Sequence, residues 1–366
     1  VTLRASTRDR YSFGRLEEIL EMPELIAVQR DSFATLLSVG LARTFRDISP
    51  ISDYSGSLHL ELEFDPEDED LHPPPKFTEA ECKEKDMTYS APIFVRARFL
   101  NHHTGEIKEQ VVFMGDFPMM TEQGTFIVNG TERVVVSQLV RSPGVIFQPG
   151  ERYRLRNFAK HQLVTGTIHP YRGEWVEFDV EQKPRKEITA GARVGRKRRL
   201  PLFALLRALG YGEQNHPGFL ESFVGHFDFL EEQWEKQSHI GATREDALIE
   251  IYKRVRPGEP VSPETARNYF ENTFFNPRRY DLSRVGRHKL NRKLSDELVF
   301  LADTFNLDLR PADPGKPDEV PPELRLPTPD QHVPAPCEML AAATYMLNLA
   351  KGEPGYRLDD QDHFAN

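Results

Sequence analysis

The residues best suited to chemistry in this sequence are an aromatic residue in a strand-like stretch and two basic blocks. Residues 174–180 read Glu-Trp-Val-Glu-Phe-Asp-Val, with apolar and polar side chains in alternation. If Val176, Phe178 and Val180 face a core, Trp175 shares the outward face with Glu177 and Asp179. An outward tryptophan can stack on a nucleobase, a contact of roughly 1–3 kcal/mol that tolerates any base. The alternative is a tryptophan covered by a neighbouring loop or helix. Arg196-Lys197-Arg198-Arg199 directly precedes a helix expected from Pro201, and a helix N-terminus favours anions. That block is either a phosphate grip or a solvated basic loop. A second block, from Arg278 to Lys293, interleaves seven Lys/Arg with apolar residues and one Asp. Its cations would face DNA phosphates or pair with the acidic first part of the chain, and without context the second reading is the better one.

Other chemistries fail on pattern. The sequence has no glycine-rich loop ending in Lys-Ser/Thr and no GxSxG elbow. Asp359-Asp360-Gln361-Asp362-His363 offers several carboxylates to a hard cation, but no expected element follows to hold it. His102-His103 beside Thr104-Gly105 reads as an exposed turn. Cys82 and Cys337 lie far apart and outside any CxxC pair, which argues against a cysteine-built zinc site or a disulfide scaffold.

Charge is unevenly spread. The chain carries 47 Lys+Arg against 57 Asp+Glu, a net charge of −10. From Glu61 to Asp86 there are eleven acidic residues and three lysines; from Lys183 to Arg199 there are eight Lys/Arg and one Glu. Attraction for phosphate follows the local field, not the total, so two basic blocks in an acidic chain point toward nucleic acid. With 39% apolar and 28% charged residues the composition is that of a folded protein. No apolar run approaches the ~18 residues of a membrane helix, and residues 1–10 lack the apolar core of a secretory signal. A reducing, cytoplasmic setting is expected.

The elements that must position these residues follow from periodicity. A helix is expected after Pro23-Glu24, with Ile26, Phe33 and Leu37 on one face. Residues 58–64, 93–99 and 107–114 read as strands, and 65–75 as an acidic, solvated loop. Asn129-Gly130 supplies the positive φ angles of a type I′ turn between residues 125–128 and 133–136. Arg141-Ser142-Pro143-Gly144 looks like a domain junction. Strands at 162–168 and 174–180 follow, then a helix at 201–209 closed by Gly210. Thr243 and Ser262 cap two further helices, residues 311–336 read as an irregular excursion with nine prolines, and 337–351 as a helix stopped by Gly352. The fold class expected is α+β.

At Met114-Gly115-Asp116-Phe117-Pro118-Met119-Met120-Thr121-Glu122, and from Gly124 through the Asn129-Gly130 turn to Arg141-Ser142-Pro143-Gly144-Val145, the sequence resembles the β subunit of bacterial DNA-directed RNA polymerase. Asp86-Met87-Thr88-Tyr89-Ser90-Ala91-Pro92, Arg172-Gly173-Glu174-Trp175, Arg196-Lys197-Arg198-Arg199-Leu200-Pro201, Leu206-Arg207-Ala208-Leu209-Gly210-Tyr211, Arg256-Pro257-Gly258-Glu259-Pro260 and Arg279-Tyr280-Asp281-Leu282 extend the likeness. Residues 359–366 resemble the family's Asp-Asp-Ile-Asp-His-Phe-Gly-Asn, with Gln361 for Ile and Ala365 for Gly. The likeness is weakest between Arg310 and Pro336.

The resemblance implies a fragment of a far longer subunit. It implies a sheet-rich protrusion domain (residues 1–141), an inserted mixed α/β lobe domain (142–336) and a return to the protrusion (337–366). Trp175 matches a lobe tryptophan that stacks on a non-template base, Arg141 an arginine of the pocket for the neighbouring flipped base, and Arg196, Lys197, Arg198 and Arg199 residues along the non-template strand. Ile107, Lys108 and Glu109 match an edge strand that docks the transcription-repair coupling factor and related initiation regulators. Val136 matches the rim of the rifamycin pocket. The implied partners are the β′, α and ω subunits, σ factor, and DNA at the non-template strand and downstream duplex, in the bacterial nucleoid. The implied activity is nucleotidyl transfer by the whole assembly. Its Mg2+ is held by β′, and no catalytic residue, metal ligand or cofactor is expected within these residues. The rival is a free-standing fragment or paralogue acting only as a protein-interaction module.

Overall fold

The computed structural model describes residues 24–53, 56–150, 163–182, 188–212, 216–311 and 320–359, with the backbone of 364–365. The chain divides into two units, residues 1–137 and 138–366. Helices and sheets are both present, in an α+β arrangement.

Unit 1 is built on a four-stranded antiparallel sheet. Helix α1 (Ala27–Thr35) passes through a wider turn into α2 (Leu41–Ile48). The stripe read from the sequence is the one that packs: Ile26, Phe33 and Leu37 are half-buried while most of their neighbours are exposed. The Phe33 ring lies 5.5 Å from that of Phe126. Strands β1 (Ile51–Ser52) and β2 (Leu58–Glu63) follow, then α3 (Glu79–Glu84), β3 (Ser90–Asn101) and β4 (Glu106–Pro118), in the order β1-β2-β3-β4. The small core is Phe64, Leu71, Ile93 and Val95. Leu71 shows that the acidic loop is not wholly solvated: it is fully buried, and its carbonyl accepts from the Phe94 amide. Strands β5 (Phe126–Val128) and β6 (Thr131–Arg133) form the hairpin, and Asn129 (φ 49°) and Gly130 (φ 73°) take the left-handed angles expected of a type I′ turn. Pairing stops at Arg133, so the second strand is shorter than the apolar run suggests.

Unit 2 opens with β7 (Val140–Arg141) and β8 (Gly144–Pro149). Strands β9 (Val164–His169), β10 (Val176–Gln182), β11 (Ile188–Val194) and β12 (Leu200–Pro201) complete a five-stranded antiparallel sheet with β8. Then come α4 (Leu202–Ala208), α5 (Phe219–His226), α6 (Glu231–Gln237), α7 (Arg244–Val255), α8 (Pro263–Phe274) and α9 (Ser283–Phe305). Thr243 and Ser262 cap α7 and α8 as their sequence positions require, each hydroxyl accepting from the amide three residues on. The short pair β13 (Arg310–Pro311) and β14 (Arg325–Leu326) precedes α10 (Pro336–Lys351), and β15 (Phe364–Ala365) pairs with β7.

Helix α10 packs on β9 and β10, and α9 on β8. Thirteen of the sixteen residues of α10 are buried, and its Met339, Leu340, Met346 and Leu347 belong to the same core as Phe147, Ile168 and Phe178. Buried nearly all round, the helix needs a large core, and the five-stranded sheet supplies it.

Between α9 and α10 lies a buried carboxyl. Glu297 is 2% exposed; its Oε1 accepts from Asn348 Nδ2 at 3.2 Å, and the same amide donates to the Tyr356 hydroxyl at 2.9 Å. Burial pushes the Glu297 carboxyl from its ordinary 4.5 up to about 7, against the opposing effect of the Tyr356 and Asn348 hydrogen bonds. Between those values the folded state holds a proton that the unfolded state has lost. The stabilisation is therefore full below pH 4.5 and lost as pH rises through about 7. Glu297→Gln should remove this dependence and gain on the wild type by up to about 3 kcal/mol above pH 7. Melting temperatures of both proteins at pH 5 and pH 8 test this; an unchanged difference between them would refute it.

Candidate nucleic-acid interface

The phase read from residues 174–180 holds for the core side. Val176, Phe178 and Val180 are at most 3% exposed, and Trp175, just ahead of β10, is half-buried. Register pairs Val176 with Ile168, which sets Trp175 beside His169, their rings 6.5 Å apart. Arg141 on β7 approaches the same histidine, Nη1 lying 3.4 Å from Nε2. A cleft of about 900 Å3 results, with Arg141, His169, Tyr171, Trp175 and Glu177 in its walls. The structure thus brings together Trp175 and Arg141, which lie far apart in sequence.

The loop that carries Tyr171 is fastened from outside the sheet. The Tyr171 and Arg172 amides donate to the Asp281 carbonyl, and the Asp281 amide returns a hydrogen bond to Arg172 O. On either side of Asp281, Tyr280 and Leu282 are fully buried. An indole, a phenol and a guanidinium around one opening have the chemistry that suits a flat ring joined to an anion. Aromatic faces stack on the ring, and the guanidinium meets the charge. His169 and Tyr171 were not singled out in the sequence. The available signal was the alternation of β9, which buries Val164, Gly166 and Ile168 and turns His169 to the face of Trp175.

The outward face of β10 is less open than its pattern suggests. Asp179 is 2% exposed because Arg199 lies over it: Nε donates to Asp179 Oδ1 at 2.6 Å, Nη1 to Thr189 Oγ1 at 3.1 Å and Nη2 to Thr189 O at 2.8 Å. The guanidinium presses on Gly191, where a Cβ would come within 2.6 Å of Nε. The basic block therefore splits. Arg196 and Arg198 are exposed, Lys197 donates to the Tyr269 hydroxyl at 3.0 Å, and Arg199 is a structural clamp. The helix behind the block, α4, is seven residues long and wholly buried, so it adds no anion site.

In the second basic block the ion pairs found among the described residues lie within unit 2. Arg287 pairs with Glu338, and Lys293 with Asp359 at 2.8 Å. Lys289 donates to Ser142 Oγ at 2.6 Å. Arg278, Arg279, Arg284 and Arg292 are exposed.

In unit 1, Ile107, Lys108 and Glu109 sit on β4, at the edge of its sheet. Ile107 is 62% exposed. Lys108 pairs with Glu106 on its own strand, whereas Glu109 reaches Arg98 at 3.2 Å and Arg96 at 3.4 Å on β3. Val136 is 84% exposed. His102 and His103 fall in the β3–β4 turn, His102 against the His59 ring. Among the described residues no three His, Cys, Asp or Glu side chains converge as a metal site, and no helix is long and apolar enough to cross a membrane. Residues 360–363 of the acidic closing run lie outside the described residues.

A family model described as RNA polymerase Rpb2, domain 2, matches residues 141–300, the stretch that holds the cleft. Over 293 residues the chain is 47% identical to the DNA-directed RNA polymerase subunit beta of Clostridium kluyveri, in each of two strains. The chain belongs to the bacterial RNA polymerase β-subunit family. The match takes in 80% of this chain and 22% of each relative, so the chain spans about a fifth of the length of these curated relatives. Within the family match, the motif Arg172-Gly173-Glu174-Trp175 is the loop fastened to Asp281, and Arg279-Tyr280-Asp281-Leu282 is the segment that fastens it.

The division of the basic block can be measured. Arg199→Ala removes the nearest guanidinium of Asp179 and its bonds to Thr189, leaving Arg193 at 3.1 Å as the carboxylate's remaining partner, and should cost about 2 kcal/mol. Arg196→Ala and Arg198→Ala should each stay within about 0.5 kcal/mol of the wild type. Denaturant unfolding of the three variants is the measurement, and equal midpoints for all three would contradict the clamp.

Proposed function

We propose that this chain is the protrusion and lobe portion of a bacterial RNA polymerase β subunit and that its lobe holds the non-template DNA strand. The observation that carries the reading is the meeting of Trp175 and Arg141 in one cleft of a chain from this family. Trp175 stacks on one unpaired base and Arg141 lines the pocket for its neighbour, while Arg196 and Arg198, with Lys197 beside them, run along the phosphates. Phosphate contacts position the strand, and the base contacts in the cleft give the hold its selectivity. Arg199 contributes by keeping the sheet under the cleft in shape.

In this reading the chain works inside an assembly with β′, α, ω and σ in the bacterial cytoplasm, at the nucleoid. Nucleotidyl transfer belongs to that assembly, with its Mg2+ on β′. The residues described here bind and orient DNA, and none is assigned a bond-making role. Val136, exposed beside the domain junction, lies at the rim of the rifamycin pocket.

The edge strand β4 serves as the dock for the transcription-repair coupling factor and related regulators, by addition of a strand to its open side. Its support is exposure: one side of β4 is unpaired in the sheet order and Ile107 is open to solvent. Glu109 is held by two arginines, so changing it would disturb the sheet as well as the dock. Ile107 is the cleaner probe. Ile107→Asp should weaken the regulator domain's binding to the whole enzyme, measured by calorimetry, and an unchanged affinity would remove the dock from this strand.

The cleft is tested with 2-aminopurine at the stacked non-template position. In the assembled enzyme Trp175→Ala should unquench the probe and shorten open-complex lifetime, from the loss of roughly 1–3 kcal/mol of stacking. Identical fluorescence in mutant and wild type would overturn the assignment.

A further inference from the structure

Arg141 stands on a strand of two residues whose ladder partner is another of two residues, β15. So short a ladder is marginal by itself, yet the guanidinium must be held at the cleft. We infer that Asp359 and Lys293 are positioning residues for Arg141: their ion pair staples the closing segment to β8 and so delivers β15 to β7. This inference rests on the reading of the cleft given above.

The staple is built from both backbone and side chain. The Asp359 amide donates to Phe147 O at 2.9 Å, and the Phe147 amide donates to Asp359 Oδ2 at 2.8 Å. The other carboxylate oxygen accepts from Lys293 Nζ on α9 at 2.8 Å. That ammonium is fixed in turn over the Phe147 and Tyr345 rings, 5.7 and 5.2 Å from their centroids. Both partners are mostly covered, with 27% of the Lys293 side chain and 19% of that of Asp359 exposed, so the pair is less screened than a surface bridge. Phe147 lies on β8, which begins three residues after Arg141. Register completes the geometry: Phe364 lies opposite Arg141 and Ala365 opposite Val140. From Asp359 to Phe364 the chain can reach at most about 18 Å whatever its path. Fixing Asp359 on Phe147 therefore confines β15 to the neighbourhood of β7 and raises its effective concentration there.

The test uses the assembled polymerase and the full chain. Hydrogen exchange is the readout that does not depend on DNA. Asp359→Asn should speed exchange about tenfold at the one amide of Val140–Arg141 that the ladder protects, and leave β9 to β11 unchanged. The charge-exchanged pair Asp359→Lys/Lys293→Asp should recover part of that protection. In open complexes carrying 2-aminopurine in the Arg141 pocket, Arg141→Ala and Asp359→Asn should each weaken the hold on that base, and the double mutant should be no worse than Arg141→Ala, because the staple acts through Arg141. If Arg141→Ala leaves the probe untouched while exchange at residues 140–141 still rises in Asp359→Asn, the cleft assignment fails and the staple stands as a fold element only. Unchanged exchange in Asp359→Asn, or full additivity with Arg141→Ala, overturns the staple. Should Asp359→Asn fail to assemble, Lys293→Met breaks the same pair from the other side and carries the same expectations.

Discussion

A guanidinium and a carboxylate, both removed from water, set the frame on which unit 2 depends. Arg287 of α9 and Glu338 of α10 are 2% and 1% exposed and pair directly. Arg287 Nε donates to Gln331 O and Nη2 to Val333 O, both at 2.6 Å, while Glu338 Oε2 accepts the Ala335 amide. The pair thus locks two helices and the segment before α10 in one stroke. That segment passes the constraint on: His332 O accepts the Leu282 amide, and His332 Nδ1 lies 3.0 Å from Asp281 Oδ1. Asp281 holds the backbone of Tyr171 and Arg172, and that loop leads into Trp175. A wall of the cleft traces back, link by link, to one buried ion pair.

Energy alone does not explain why such a pair is present. Desolvating two charges costs several kcal/mol per ion, which their attraction repays only when every remaining polar atom is also bonded. Arg287 meets that condition with three further acceptors, two of them main-chain carbonyls. Hydrophobic contacts would let α9 slide along α10 at little cost, because one apolar face resembles another. A guanidinium with fixed donor directions admits one register, and the loop at 331–335 is ordered by it.

The sequence was most readable where local rules decide the outcome. The Asn129-Gly130 turn, the caps at Thr243 and Ser262, and the buried phase of Val176, Phe178 and Val180 all follow from neighbours in the chain. It was least readable where a long-range partner decides. Residues 283–305 form a single helix of 23 residues, yet its basic side chains read as facing DNA or, better, the acidic first part of the chain, because Glu338 and Asp359 lie many residues ahead. Asp179 reads as an outward carboxylate until Arg199 folds over Gly191 to cover it. Trp175 was named from the alternation of its strand and Arg141 from family likeness, but only the folded chain shows that they share a cleft with His169 and Tyr171. Charge balance misleads for a related reason: an acidic chain can present cations locally, at Arg196 and Arg198 as at Arg278, Arg279, Arg284 and Arg292.

The edge strand of unit 1 follows a different logic, that of protection withheld. A long, flat, apolar edge invites pairing with other chains, and natural proteins blunt such edges with charge, bulges or short length. Strand β4 is thirteen residues long. It carries charges at one end, where Glu106, Lys108 and Glu109 sit, and an irregularity in register at the other, near Gly115. Between them Val111, Val112 and Phe113 are 40–54% exposed. The Arg96 and Arg98 pairs with Glu109 spend its charge on the sheet interior, so the carboxylate protects the edge less than its position suggests. Charge at one end of β4 and an irregular register at the other thus flank an apolar, exposed middle.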